Sequence, residues 1–278
     1  MRLGILWLVA VLVLAAIAGY LYYEQRQEEA PPETIVRLRP HLPAEPDAVP
    51  EVQQPPPGPQ YPVTPAPDAE PAGEAPSEPP LPPLGESDSA VREAASEVMG
   101  QEPVDRFLVP DGIVRRIVAT VDNMTRDRVS MKVRAVPAIE GNFRARGPEE
   151  DLVIDETNFE RYRPFVDAVA AVDPARAAAV YRRFYPLFQQ AFEELGYPDA
   201  YFNDRLVAVI DDLLAAPEVA GPIRLKRPGV LYTFADPDLE RRSPGQKMLI
   251  RMGSTNANVL KEKLRALRRE IASLGKNR

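Results

Sequence analysis

Carboxylates are the most reactive side chains this chain offers. Asp204 and Asp211 stand seven residues apart in a stretch of helical pattern, which puts both on one helix face about 10.5 Å apart along the axis. Two such groups are all a glycoside hydrolase needs, and inverting enzymes hold them roughly 6.5 to 9.5 Å apart. The pair falls slightly outside that window before side-chain flexibility is considered. The competing reading is a pair of solvated or salt-bridged helix charges. Composition closes other routes: there is no cysteine, and the single histidine, His41, sits in a proline-rich stretch. Thiol catalysis, histidine triads and His/Cys metal sites are thereby excluded. Neither a phosphate-cradling glycine loop nor a GxSxG elbow occurs. No catalytic residue, cofactor or metal ligand is assigned.

The remaining polar residues suggest recognition rather than reaction. Asp122 and Asn123 end a predicted helix, where exposed carbonyls disfavour a carboxylate. Asp122 therefore needs compensation from Arg126, Arg128 or a distant arginine such as Arg205 or Arg251, which predicts a structural polar network. Pro186, inside a long helix, removes the amide that would bond the Arg182 carbonyl and predicts a bend. The concavity of that bend places a binding groove beside Tyr185 and Gln189, lined by Asn203 and Arg205 and extended by Gln246, Lys247 and Arg251. Tyr181, Phe184, Tyr185, Phe188, Phe192, Tyr197, Tyr201 and Phe202 recur at helical spacing, so they read as core, with the Tyr185 and Tyr201 hydroxyls at a rim.

The elements that carry these residues are mostly helical. Ser87 or Asp88 begins a helix that Gly100 stops after Met99, and Asp111 begins another with Val114, Ile117, Val118 and Val121 on one face. Between Met131 and Ile154 short β-prone pieces predict a small irregular sheet or extended loops. Asp173 caps a helix with Pro174 at its first position, and Gly196 ends it. Asp199 caps the next, whose Phe202, Leu206, Val209 and Leu213 form an apolar stripe. Val230 to Phe234 reads as a strand. Ser243-Pro244-Gly245-Gln246 combines a capping box with proline at the first helical position. In the last helix Leu260, Leu264, Leu267, Ile271 and Leu274 predict packing onto the same domain. The fold class expected is mainly α with a small β component, α+β, in one compact domain over 87–278.

Two different segments precede that domain. Residues 3–22 form an unbroken apolar run, long enough at 1.5 Å per residue to cross a hydrocarbon core of about 30 Å. Trp7 and the Tyr20, Tyr22, Tyr23 cluster suit the headgroup layer, so 1–23 reads as a transmembrane anchor, with a cleaved signal peptide as the alternative. Residues 24–86 follow as a disordered linker: 19 of the 32 prolines fall between Pro31 and Pro83, and twelve acidic side chains face three arginines. Such a chain buries little and extends. Pro55-Pro56-Pro57-Gly58-Pro59 is its one stretch suited to a proline-reading partner. Removing the linker's charge of 3 − 12 = −9 and the +1 of Arg2 from the total of −7 leaves +1 on residues 87–278. The acidity belongs to the linker.

Tyr185-Pro186-Leu187-Phe188-Gln189, Leu195-Gly196-Tyr197-Pro198, Phe202-Asn203-Asp204-Arg205, Phe234-Ala235-Asp236-Pro237 and Gly245-Gln246-Lys247-Met248-Leu249, in that order, resemble the bacterial domain of unknown function 3014 family. Ser87-Asp88, Val121-Asp122-Asn123 and Arg161-Tyr162 agree as well, and the resemblance covers nearly all of 81–274. It implies a membrane-anchored envelope protein and brings no activity with it. Asp212 stands where the family pattern leads one to expect a histidine, which counts against imidazole chemistry there.

The functional expectation is a non-enzymatic binding or scaffold module. It would be held by residues 3–22 in the cytoplasmic (inner) membrane as a single-pass protein and displayed in the periplasm or outside. Its partner would be an envelope protein or a cell-wall polymer. The alternatives are a carboxylate-based cell-wall hydrolase and a cytoplasm-facing nucleic-acid-binding domain. The latter would use the seven Lys/Arg that residues 261–278 set against Glu262 and Glu270.

Overall fold

The computed structural model describes residues 58–64, 79–126, 134–137, 139, 141–229 and 231–275. The expected span at 3–22 lies outside them, as does Arg128. Among the described residues no helix is long and apolar enough to cross a membrane. The domain is mainly helical with two small antiparallel sheets, so the α+β class holds.

Among the described residues nine α-helices succeed one another: α1 (Asp88–Met99), α2 (Gln101–Phe107), α3 (Ile113–Asn123), α4 (Thr157–Ala170), α5 (Pro174–Glu194), α6 (Phe202–Leu214), α7 (Pro237–Glu240), α8 (Pro244–Arg251) and α9 (Ser254–Ile271). The sheets are β1 (Ala145–Arg146) with β2 (Val153–Ile154), and β3 (Leu225–Lys226) with β4 (Thr233–Phe234). The predicted sheet after residue 131 is thus a two-stranded ribbon, and the predicted strand ending at Phe234 is shorter than its apolar pattern.

Several termini follow local sequence. Gly100 ends α1 at φ 88°, a left-handed conformation that costs glycine nothing. The Asp173 carboxylate accepts the Arg176 amide at 2.7 Å beside Pro174, and Ser243 Oγ accepts the Gln246 amide. Two caps arise differently from expectation. Asp111 does not cap α3; the Asp88 carboxylate accepts the Gly112 and Ile113 amides at 2.7 and 2.8 Å. Asp199 does not cap α6, which has no side-chain cap from its own N-cap residue, Tyr201. In both cases a remote acceptor satisfies amides that every helix start leaves open.

The core is continuous. α9 packs on α4, α5 and α6, while α3 packs on α5 and α6, and Leu260, Leu264, Leu267 and Ile271 are buried as their spacing predicts. The aromatic group is core: Phe188 stacks on Phe202 at 5.6 Å, and Tyr181 meets Tyr185, Phe188 and Phe202. Each such ring contributes about 1.5–3 kcal/mol of burial. α5 runs through Pro186 as one helix, and Tyr185 and Leu187 on either side of it are buried. α4, absent from the sequence reading, also carries an internal proline, Pro164, yet buries Tyr162, Phe165, Val166 and Val169. Burial of one apolar face outweighs the lost hydrogen bond there.

An unbroken spacer over 24–86 does not anticipate residues 58–64. Tyr61 and Val63 pack against the helical core, far in sequence from the helices they touch. Main-chain hydrogen bonds supply what the segment's composition cannot.

Candidate functional site

The amino end of α6 is built from α5 outward. Tyr185 Oη donates to Gln189 Oε1 at 3.1 Å, the same oxygen accepts the Phe202 amide at 2.9 Å, and Gln189 Nε2 donates to the Ala200 carbonyl at 2.8 Å. Gln189 thus fixes where α6 starts and fills one of its open amides. Burial pushes the Tyr185 phenol up to about 12, with the Asp204 carboxylate adding to the effect.

That start presents Asn203 and Asp204 in the first turn, where a carboxylate is favoured by the helix dipole. Asp204 accepts two consecutive main-chain amides, Gln60 at 2.9 Å and Tyr61 at 2.7 Å. Asn203 Nδ2 donates to the Tyr61 carbonyl at 2.8 Å, with a longer 3.4 Å contact to the Ile271 carbonyl. The two side chains read backbone, not side-chain identity. Exposure alternates along the segment: Pro59, Tyr61 and Val63 are partly covered, whereas Gly58, Gln60, Pro62 and Thr64 face outward. The chain bends at Gln60 and Tyr61, which turns onto one carboxylate two successive amides that a straight strand would direct to opposite sides.

The carboxyl end of α9 closes the other side. The Arg268 guanidinium lies 6.0 Å from the Tyr61 ring centroid and donates through Nε and, at 2.7 Å, through Nη2 to the Asp211 carboxylate. Its hydrogen bonds with Asp211 raise the Arg268 pKa above the ordinary arginine value. A Cβ on Gly275 would stand 2.5 Å from the Pro62 carbonyl oxygen, so only glycine permits this approach. Asp204 and Asp211 are therefore engaged with separate partners, one with backbone amides and the other with a guanidinium.

Beside the segment opens a cleft of about 570 Å³, bordered by Gly58 and Gln60 on one side and by Asp122, Arg126, Tyr197, Tyr201 and Arg205 on the other. Asp122, whose side chain is 6% exposed, pairs with Arg126 at 3.0 Å and Arg205 at 3.1 Å and accepts the Tyr197 hydroxyl at 3.2 Å. Arg205 also holds the Asp122 carbonyl and Thr125 Oγ1, which answers the unfavourable carboxylate at the end of α3. Among the described residues the Asn123 side-chain amide donates to the Ala119 carbonyl of its own helix and not to Asp122.

The sequence-predicted groove residues divide. Tyr185, Gln189, Asn203 and Arg205 gather about the amino end of α6. Gln246, Lys247 and Arg251 belong to α8 and do other work: Gln246 Nε2 bonds Asp212, Lys247 pairs with Glu240 at 2.9 Å, and Arg251 bonds the Tyr232 carbonyl and covers Phe234. Helical spacing alone does not reveal that α8 meets the opposite end of α6. The Gln60–Val63 stretch and Asp204's role as an amide acceptor are absent from the sequence-predicted groove. The signal available was Tyr61, the sole aromatic residue in 24–86, set between Pro59 and Val63 at alternate positions. Among the described residues no group of acidic side chains is arranged to hold a metal ion.

A helical domain that holds a short stretch of main chain from its own N-terminal side across the start of one helix is the class this geometry defines. The chain belongs to the family described as protein of unknown function (DUF3014), whose model matches residues 113–268. The match includes Asn203, Asp204, Asp122, Arg205 and Arg268 and leaves out the docked segment and Gly275. No curated protein and no solved structure matches the chain.

Proposed function

We propose that this protein is a binding module of the cell envelope whose groove at the amino end of α6 holds a short polypeptide segment. One observation carries the reading: Asp204 and Asn203 capture three main-chain groups of Gln60 and Tyr61, a way of binding a peptide through its backbone that needs no catalysis. The apolar run at 3–22 is proposed to anchor the chain in the cytoplasmic membrane with the domain in the periplasm or outside, the proline-rich linker giving it reach. The +1 charge of the domain offers no strong attraction to nucleic acid. The partner on this reading is an envelope protein with an exposed peptide segment.

A photo-crosslinking amino acid at Tyr201, on the rim of the cleft, tests this in intact cells. The expected result is an adduct with another envelope protein that disappears when Asp204→Ala is added. Adducts unaffected by Asp204→Ala would remove the groove from the account. A reporter fused at the carboxyl end, active only on the cytoplasmic side, would refute the proposed topology.

A further inference from the structure

Resting on the reading of the groove as a peptide site, we infer that its ligand class is an aromatic–proline–aliphatic segment, and that Tyr61-Pro62-Val63 is a resident copy which a partner must displace. Each of the three positions is selected by a different feature. The aromatic residue lies against the Arg268 guanidinium, which Asp211 holds in place, so a cation meets a ring face without being free to turn away. Its carbonyl is the acceptor for Asn203.

Proline suits the next position for two reasons. It has no amide to leave unsatisfied between the Tyr61 carbonyl and Val63, and it restricts the conformations open to the residue before it. Its close approach to Gly275 adds a shape requirement. The aliphatic residue follows on the inward side of the alternation, against the core.

With the segment in place Asn203 is fully buried, and the Tyr61 carbonyl takes the shorter of its amide's two hydrogen bonds. Because the resident segment belongs to the same chain, its effective concentration is high and it competes with any partner. The neighbouring cleft, with Tyr201 and Arg126 at its edge, is only bordered by Gly58 and Gln60. A partner carrying larger side chains there gains contacts the resident copy lacks.

The test uses the full chain and a fluorescent peptide with the sequence of residues 58–64. In a chain carrying Tyr61→Ser and Val63→Ser, which disables the resident copy, the peptide is expected to bind about tenfold or more tightly than to the wild-type chain. A peptide with Pro62→Ala or Tyr61→Ala should bind at least about tenfold more weakly than the native one. Millimolar native peptide added to the wild-type chain should accelerate hydrogen exchange at the Gln60 and Tyr61 amides. Equal binding of native and substituted peptides overturns the ligand class. Unchanged exchange at both amides, or no peptide binding to the disabled chain, overturns displacement. If these fail while Asp204-dependent crosslinks to another protein persist, the groove reading stands with a different ligand. If the crosslinks vanish too, both fall.

Discussion

Two aspartates border one cleft and are held in opposite ways. Asp122 is buried and meets arginines and a tyrosine from its own domain. Asp204 meets two amides supplied by a stretch more than 140 residues earlier in the chain. The first arrangement is a permanent brace, because removing the carboxylate strands charged groups that folding has brought together. The second is a hand-hold whose occupant can change, because main-chain amides belong to every residue type and any segment that bends as Gln60 and Tyr61 do presents the same pair. A carboxylate's role is thus set by where its donors come from, not by the residue type.

The contrast can be broken in order of expected effect. Asp122→Ala should destabilise the domain by about 2–3 kcal/mol, below the full cost of a broken buried pair because Arg126 and Arg205 are partly exposed. Thermal denaturation should show a fall of roughly 4–12 °C; no fall would demote the brace to a surface ion pair. Next comes alkaline pH. The Tyr185 phenol is raised from 10 to about 12 in the fold, so the native state keeps a proton that the unfolded chain has lost. Stability from this group is full below pH 10 and drains away as pH rises towards 12, by about 2 kcal/mol. Tyr185→Phe should flatten that decline in denaturant titrations; an unchanged slope would show that the phenol sits in water.

Asp204→Ala should cost only about 1 kcal/mol of global stability, yet abolish exchange protection at the Gln60 and Tyr61 amides. A large loss of global stability with those amides still protected would make Asp204 a second brace and erase the distinction. Smallest is Gly275→Ala, whose Cβ would press on Pro62. Exchange at the segment should quicken several-fold while the melting temperature moves by less than about 2 °C, corresponding to roughly 0.5 kcal/mol.

Much of the scaffold was legible because helices announce themselves locally. The spacing of Leu260, Leu264, Leu267 and Ile271 dictated burial, and Asp173-Pro174 and Ser243-Pro244 marked helix starts that the structure reproduces. Dipole reasoning at Asp122 correctly demanded arginines and named two that are present. What failed was long-range. Asp88 caps α3 and Gln189 fills the start of α6, neither of which a local capping rule can see. α4 was hidden by Pro164, and α8 was assigned to the wrong end of α6. The groove's occupant was hidden by its own composition: a proline-rich, acidic neighbourhood reads as solvated chain, and only Tyr61 breaks the pattern.

The reach of Asp88 has a practical corollary for anyone shortening this polypeptide. The family match opens at Ile113, the very residue whose amide Asp88 holds, and Val91 and Ala95 of α1 lie fully buried in the common core. A recombinant fragment cut to the matched span would start with a bare helix end and an uncovered apolar face, and would aggregate more readily than one that keeps Asp88 and the rest of α1.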